Sequence, residues 1–281
     1  MTEHLVRSRP GESTLIEITP ASAGWSYLEF SIHHVVPGAP HQTDSADREI
    51  AIVPLEGSGV VRVDGRDIDL GRRSVWDEMP RVVYIPPDRA LQISTETDLR
   101  YAIGGARADG RFPVRVIEPH EMHSEVRGGG ASRRQVNHIL AHPLPAERLI
   151  LYEVYVPRGT WSGWPPHCHD GYAGSPYLEE TYYFRLDPPN GFAVHRNWRE
   201  DTEFDETLVA GDGDVVLVTQ GFHSSVACPG SNMYFLNYLA GEPVGDERAT
   251  PPHFHPDHTW IETDWSAGLM GLPTVGPLPA P

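Results

Sequence analysis

The sequence contains no lysine: all 22 basic residues in the 281-residue chain are arginine. Without an ε-amino group there is no Schiff-base nucleophile, no pyridoxal-phosphate lysine and no P-loop, whose phosphate-binding lysine is part of the motif. An enzyme of this composition that acts on a carbonyl must polarise it another way, and a bound metal is the obvious means. Cysteine is nearly absent as well. Cys168 and Cys228 are too few for a disulfide framework. No window approaches the apolar length of a membrane span, and the leading residues MTEHLVRSRPGESTL carry no apolar core of the signal-peptide kind. A soluble cytoplasmic protein with no membrane partner is expected. Positive charge is in deficit: 39 acidic residues against 22 basic ones leave a net charge of −17, which disfavours binding to phosphate backbones, so no nucleic-acid partner is expected. Sustained helical periodicity is missing too.

Glycine and proline, 27 of each, are plentiful and favour short strands and turns. TLIEITP and WSYLEFSIHHVV read as strands, the second with Tyr27, Glu29 and Ser31 alternating against Leu28, Phe30 and Ile32. Asp64-Gly65 between VVRV and RDIDL is a hairpin signal. The same rhythm continues to about residue 107, which predicts an antiparallel barrel or sandwich. This half contains His33, His34 and His41 but no metal pattern. FPVRVIEP, Phe112–Pro119, reads as a bridge, placing one domain at 1–112 and a second at 113–281. ERLILYEVYVP, FAVHRNW and SNMYFLNYLAG read as strands of the second domain, and Asp187–Phe192 as a hairpin loop. Pro251–Trp265 is expected to be irregular and PTVGPLPAP poorly ordered. The class is all-β, and the shared rhythm of the two halves suggests an internal duplication.

The chemistry concentrates in WSGWPPHCHDGYAGSPYLEETYY, Trp161–Tyr183. Residues i and i+2 of a strand share a face, so His167 and His169 aim two imidazoles at one point while Cys168 points away. Glu180 opens the β-prone run ETYYF, and His223 ends GDVVLVTQGFH. Three neutral imidazoles and one carboxylate make a shell for a divalent transition metal, and six-coordination would leave positions open for substrate. Zinc is favoured; manganese, iron and nickel also suit these donors. Tyr182 shares the Glu180 face and can reach a substrate, whereas Glu179 and Arg185 lie on the opposite face, where Glu179 reads as a structural partner. The second H-x-H, His253 and His255, lacks a strand carboxylate and does not read as a metal site.

H-x-H, a strand Glu and G-D-x(6)-G-x-H resemble the two metal motifs of the cupin superfamily. The spacer DGYAGSPYLE is longer than the generic one, and together with ITPASAGWSYLEF, GASRRQVNHIL, YLEETYYFRLDPPNGFAVHR and PDHTW it resembles the 5-deoxy-glucuronate isomerase family of myo-inositol catabolism. The resemblance covers nearly the whole chain. It implies a bicupin of two antiparallel β-barrel or jelly-roll domains, with the metal in the C-terminal one. It also implies interconversion of 5-deoxy-D-glucuronate and 5-dehydro-2-deoxy-D-gluconate. Carried over, the ligands are His167, His169, Glu180 and His223, with Glu179 as rival carboxylate. Arg134, in SRRQVNHIL, becomes the preferred clamp for the carboxylate of a uronate-type sugar acid. Two departures stand out: Thr219-Gln220 where the family pattern leads one to expect a proline, and Cys168 where it leads one to expect a long basic residue. A bicupin oxygenase and a non-catalytic sugar-binding bicupin are the alternatives. Exposed barrel edges leave room for a homo-oligomer.

Overall fold

The computed structural model describes residues 3–271. PTVGPLPAP lies outside the described residues. Among them the chain forms three antiparallel sheets and a single α-helix, the four-residue Pro20–Ala23. Short strands dominate because β-branched and aromatic residues alternate between turn residues and no run keeps a helical period. The hairpin expected at Asp64-Gly65 is present: Val63 pairs with Arg66, and φ is 50° and 71° at the two loop residues, as a tight two-residue turn requires.

The nine-stranded sheet curls into the first barrel around Arg48–Val63, a strand of 16 residues. Its register against Leu99–Arg107 shifts between Pro54 and Glu56. Proline cannot donate to the ladder, so the strand bends there and pairs with Val82–Ile85 on one side and Arg66–Arg72 on the other. Apolar side chains including Val35, Ile52, Val61, Val83 and Ile93 fill the interior. His33 stacks on His41 and Tyr101.

The second barrel is a sandwich. One face is a seven-stranded sheet ordered Leu5–Val6, Val215–Val218, Leu178–Asp187, Asn232–Gly241, Ile150–Val156, Arg134–His138, His123–Arg127. The other is a five-stranded sheet ordered Asp205–Ala210, Ala193–Trp198, Phe222–Ala227, Trp161–Cys168, His253–Phe254. Tyr182, Phe184, Leu186, Val216 and Phe235 pack in the same interior as Ala193, Ala210 and Ala227 of the facing sheet. Asp187–Phe192 is therefore not a hairpin loop. It carries the chain from Leu178–Asp187 in one sheet to Ala193–Trp198 in the other. The tail is also more regular than expected, since His253–Phe254 adds an edge strand and Pro256–Thr263 winds as a 3₁₀ helix.

The seven-stranded sheet has its central strands buried on both faces. Its outer face, with Tyr183, Tyr234, Leu236 and Tyr238, shares a core with Ile16, Phe30 and Tyr84 of the first barrel. Buried carboxylates tie the halves together. Glu179 accepts the backbone N–H groups of Ser26, Tyr27 and Leu28 at 2.7, 2.9 and 2.8 Å. Glu49 accepts those of Glu147, Arg148 and Leu149. Glu153 pairs with Arg72 and accepts the Tyr234 hydroxyl at 2.6 Å, so the Glu153–Tyr155 face looks toward the first barrel. The sheets do not separate at 112/113. Arg115–Ile117 pairs with Val82–Ile85 of the first barrel, while Leu5–Val6 pairs with Val215–Val218 of the second.

Candidate metal centre and substrate cavity

The two sheets of the second barrel deliver the candidate ligands from opposite sides. His167, next to last in the Trp161–Cys168 strand, pairs in register with His223 of Phe222–Ala227. Glu180 comes from Leu178–Asp187 in the facing sheet. The turn before His223 is held from the H-x-H segment itself: Asp170 accepts the Gly221 N–H at 2.7 Å. Gly221 has φ +73°, and a Cβ there would collide with the Trp198 carbonyl oxygen, so this turn depends on glycine. The Thr219-Gln220 departure thus leaves the presentation of His223 intact.

One ligand atom from each of His167, His169 and His223 lies within 4.8 Å of the others. Glu180 Oε2 is 2.9 Å from His169 Nε2 and 3.3 Å from His223 Nε2. His169, Glu180 and His223 are buried, and His167 is half-buried toward the cavity. Cys168 is outside the cluster, its Sγ 3.8 Å from the Tyr172 carbonyl oxygen.

The donor chemistry fits a cation. His169 Nδ1 must donate to the Leu178 carbonyl oxygen at 2.9 Å, which in the neutral ring leaves the Nε2 lone pair facing the Glu180 carboxylate. Two acceptors at that distance require a proton or a metal between them. In His223 both ring nitrogens are buried and neither has a hydrogen-bond partner among the described residues, a costly state that metal ligation would relieve at one of them. Burial, then the neighbouring histidines, pushes the pKa of His167 and His223 well down, so both rings are neutral, as ligands must be. Burial opposes charge on His169, but the hydrogen bond and charge of Glu180 outweigh it and raise that pKa. Behind His223 a polar layer fixes the wall: His195 Nδ1 and Ser225 Oγ are 2.7 Å apart, and His195 Nε2 is 3.0 Å from Asn197 Oδ1.

His167, His169 and Glu180 form the floor of a cavity of about 150 Å³, with the His223 ring packed against the two histidines. Ile150, Val154, Leu178, Phe235 and Leu239 make it largely apolar, and Tyr152, Tyr182, Asn237, Arg134 and Arg248 supply polar groups. Glu180 is the only carboxylate among the described lining residues. An outer cleft of about 540 Å³ shares Arg134, Tyr152, His167 and Arg248 with it and is edged by tail residues Phe254, Glu262 and Trp265. Tyr182 sits where expected, with a pKa raised well above the usual phenol value by burial and then by the Glu180 charge. Arg134 also lines the cavity. Burial, then the Arg127 charge, lowers its pKa to about 10. Arg185 is elsewhere, bonded to Asp212 at 3.0 Å. His255 is held by Glu200 at 2.9 Å. Tyr152, Asn237 and Arg248 carry no motif signal; only the pairing of distant strands and the return of the segment after Gly241 bring them to the cavity.

Comparison with known proteins agrees with this geometry. The model of the KduI/IolB family matches residues 4–261. The chain belongs to the KduI/IolB family. Among relatives of this KduI/IolB chain, the 5-deoxy-glucuronate isomerase of Geobacillus kaustophilus is 37% identical over 255 residues, covering 89% of this chain and 91% of the relative. The 5-deoxy-glucuronate isomerase of Bacillus subtilis strain 168 is 33% identical over 257 residues, covering 89% of this chain and 93% of the relative. The crystal structure of an IolB-like protein from Salmonella typhimurium LT2 superposes with a TM-score of 0.86 at 32% identity, covering 92% of this chain and 99% of that one. Bacillus subtilis oxalate decarboxylase superposes with a TM-score of 0.59 at 12% identity, covering 91% of this chain and 79% of that one, which shows the shared two-barrel cupin fold alone. The fold is the all-β bicupin expected from the motifs.

Proposed function

We propose that this protein is a metal-dependent aldose–ketose isomerase that interconverts 5-deoxy-D-glucuronate and 5-dehydro-2-deoxy-D-gluconate in myo-inositol catabolism. The observation that carries the reading is the buried cluster of His167, His169, His223 and Glu180 at the floor of a small cavity, in a chain that resembles relatives named for this activity over nearly all its length. These four residues would hold the cation, with zinc favoured for the donor set. A bound divalent cation supplies a Lewis acid that stabilises negative charge on a carbonyl oxygen.

The remaining steps belong to the chain's own residues. Arg134 takes the carboxylate of the sugar acid, because its guanidinium lines the cavity and, among the described residues, bonds only to the carbonyl oxygens of Ser132 and Trp164. That fixes the far end of the substrate and orients the carbonyl end toward the floor. Isomerisation moves a proton between adjacent carbons through an enediol, so a base (a carboxylate, histidine or tyrosine side chain) must lift it from one carbon and return it to the other while charge develops on oxygen. Tyr182, kept protonated by burial, donates a hydrogen bond to that oxygen. The apolar wall of Ile150, Leu178 and Leu239 limits water, which strengthens these polar contacts. Both cysteines are free thiols, in keeping with a cytoplasmic setting.

The test is an NMR turnover assay with 5-deoxy-D-glucuronate in deuterated water, on protein of measured metal content. Loss of the aldehyde signal with growth of the ketone is expected, and deuterium uptake would show exchange of the transferred proton with solvent. No turnover at full metal occupancy would refute the isomerase; oxygen consumption would then point to an oxygenase, and its absence to a binding protein.

A further inference from the structure

In a chain with 39 acids, buried arginines have carboxylates to choose from. Arg72 takes Glu153 and Arg185 takes Asp212, and even the exposed Arg127, at the rim of the cavity, takes Glu125. Arg248 does not. It is 6% exposed, and its only hydrogen-bond partners among the described residues are three backbone carbonyl oxygens. Nη1 donates to Leu144 and Ala146 at 3.0 and 2.7 Å, and Nη2 donates to Leu140 at 3.0 Å. Its Nε–H is buried with no acceptor. It lines both the inner cavity and the outer cleft, as Arg134 does. The charges of Glu49 and Asp246 act on the guanidinium from a distance, but none of its hydrogen bonds goes to a carboxylate, and burying a cation without a contact ion pair is costly. A structural tie to three carbonyls needs no charge beside a cavity. Two such guanidiniums on one cavity make sense if the missing anion arrives with the ligand.

We propose that Arg248 is the second arm of the carboxylate site, sharing the substrate's carboxylate with Arg134 and setting selectivity for a sugar acid over its neutral counterpart. This rests on the reading of the cavity as a uronate site. The segment Gly245–Ala249 that follows the last long barrel strand thereby contributes directly to specificity. With Nη1 donating to two carbonyl oxygens and Nη2 to one, a further Nη2 hydrogen is left for the carboxylate, held by a planar group whose fixed donor directions lysine cannot reproduce.

The test compares metal-loaded wild type with Arg248→Gln and Arg248→Lys, after thermal melts establish that each variant is folded. Substrates are 5-deoxy-D-glucuronate and the analogue whose carboxylate is reduced to a hydroxymethyl group. Binding of D-glucuronate and D-glucose is measured separately by calorimetry. Loss of a charge-assisted contact should raise KM for the acid about 10- to 100-fold in the Gln variant, with a smaller rise in the Lys variant. Kinetics with the neutral analogue should stay within about 2-fold, since it makes no such contact. Equal losses for acid and neutral substrates, or an unchanged KM for the acid, would overturn the proposal and leave the isomerase standing. If wild type turns over neither substrate, the isomerase reading fails, and calorimetry decides for Arg248: weaker glucuronate binding in the variants supports it, and unchanged binding or none in wild type refutes it. If Arg248→Gln does not fold, the Lys variant carries the same comparison.

Discussion

Two adjacent glutamates on one strand should behave in opposite ways when changed. Glu179 is 2% exposed and accepts three consecutive backbone N–H groups from Ser26, Tyr27 and Leu28. Glu180, one residue on, faces the opposite side and meets His169 and His223. A Glu179→Gln side chain keeps one carbonyl oxygen but turns an amide donor toward N–H donors. One or two of the three backbone groups then lose their acceptor, at about 1–3 kcal/mol each. We expect a loss of about 2–4 kcal/mol, which in a chain of this size lowers Tm by about 5–15 °C, with metal content preserved. Glu180→Gln leaves those inter-barrel bonds alone. It should hold Tm of the chelator-treated protein within about 3 °C and weaken metal binding by at least about 100-fold, since loss of a partner that merely orients a ligand already costs 10- to 100-fold. Thermal denaturation in chelator and metal analysis after dialysis read the two effects separately. A Glu179→Gln variant that loses its metal at unchanged Tm would show that the two carboxylates have been assigned the wrong way round.

Three other outcomes are expected. His167→Ala should lose metal and activity together, and full turnover by a metal-free variant would exclude the metal-centred mechanism. Arg134→Ala should raise KM for the uronate about 10- to 100-fold with a smaller change in kcat; an unchanged KM removes it as the clamp. His33, in the first barrel, has its pKa pushed down to about 3 by burial and then by His41. The unfolded chain therefore binds the proton more readily than the folded one, and stability present above about pH 6.5 falls as pH drops toward 3. The loss from this group alone is about 2 kcal/mol at pH 5, and urea unfolding of His33→Gln should show a correspondingly flatter pH dependence between 5 and 7.

Local pattern alone sufficed for the all-β class and the tight turn at Asp64-Gly65, and it singled out four candidate ligands; the two barrels rested on the family resemblance. The period of two along a strand sets which side chains share a face, and it separated Glu180 and Tyr182 from Glu179 and Arg185 before any contact was known. Tertiary structure decided what lies on the far side of each face. That Glu179 caps Ser26–Leu28 depends on a partner 151 to 153 residues away. Sheet membership was equally hidden. Asp187–Phe192 has the composition of a hairpin loop, yet the strands it joins belong to different sheets, and Arg115–Ile117 and Leu5–Val6 each pair across the expected division. Arg248 carries no signal in GDERAT; what distinguishes it is burial beside a cavity with carbonyl oxygens and, among the described residues, no carboxylate as hydrogen-bond partners. Periodicity is a property of the chain, whereas compensation of charge and pairing of sheets are properties of what the fold brings close. The candidate ligands could therefore be picked out along the chain, and the cavity beside them could not.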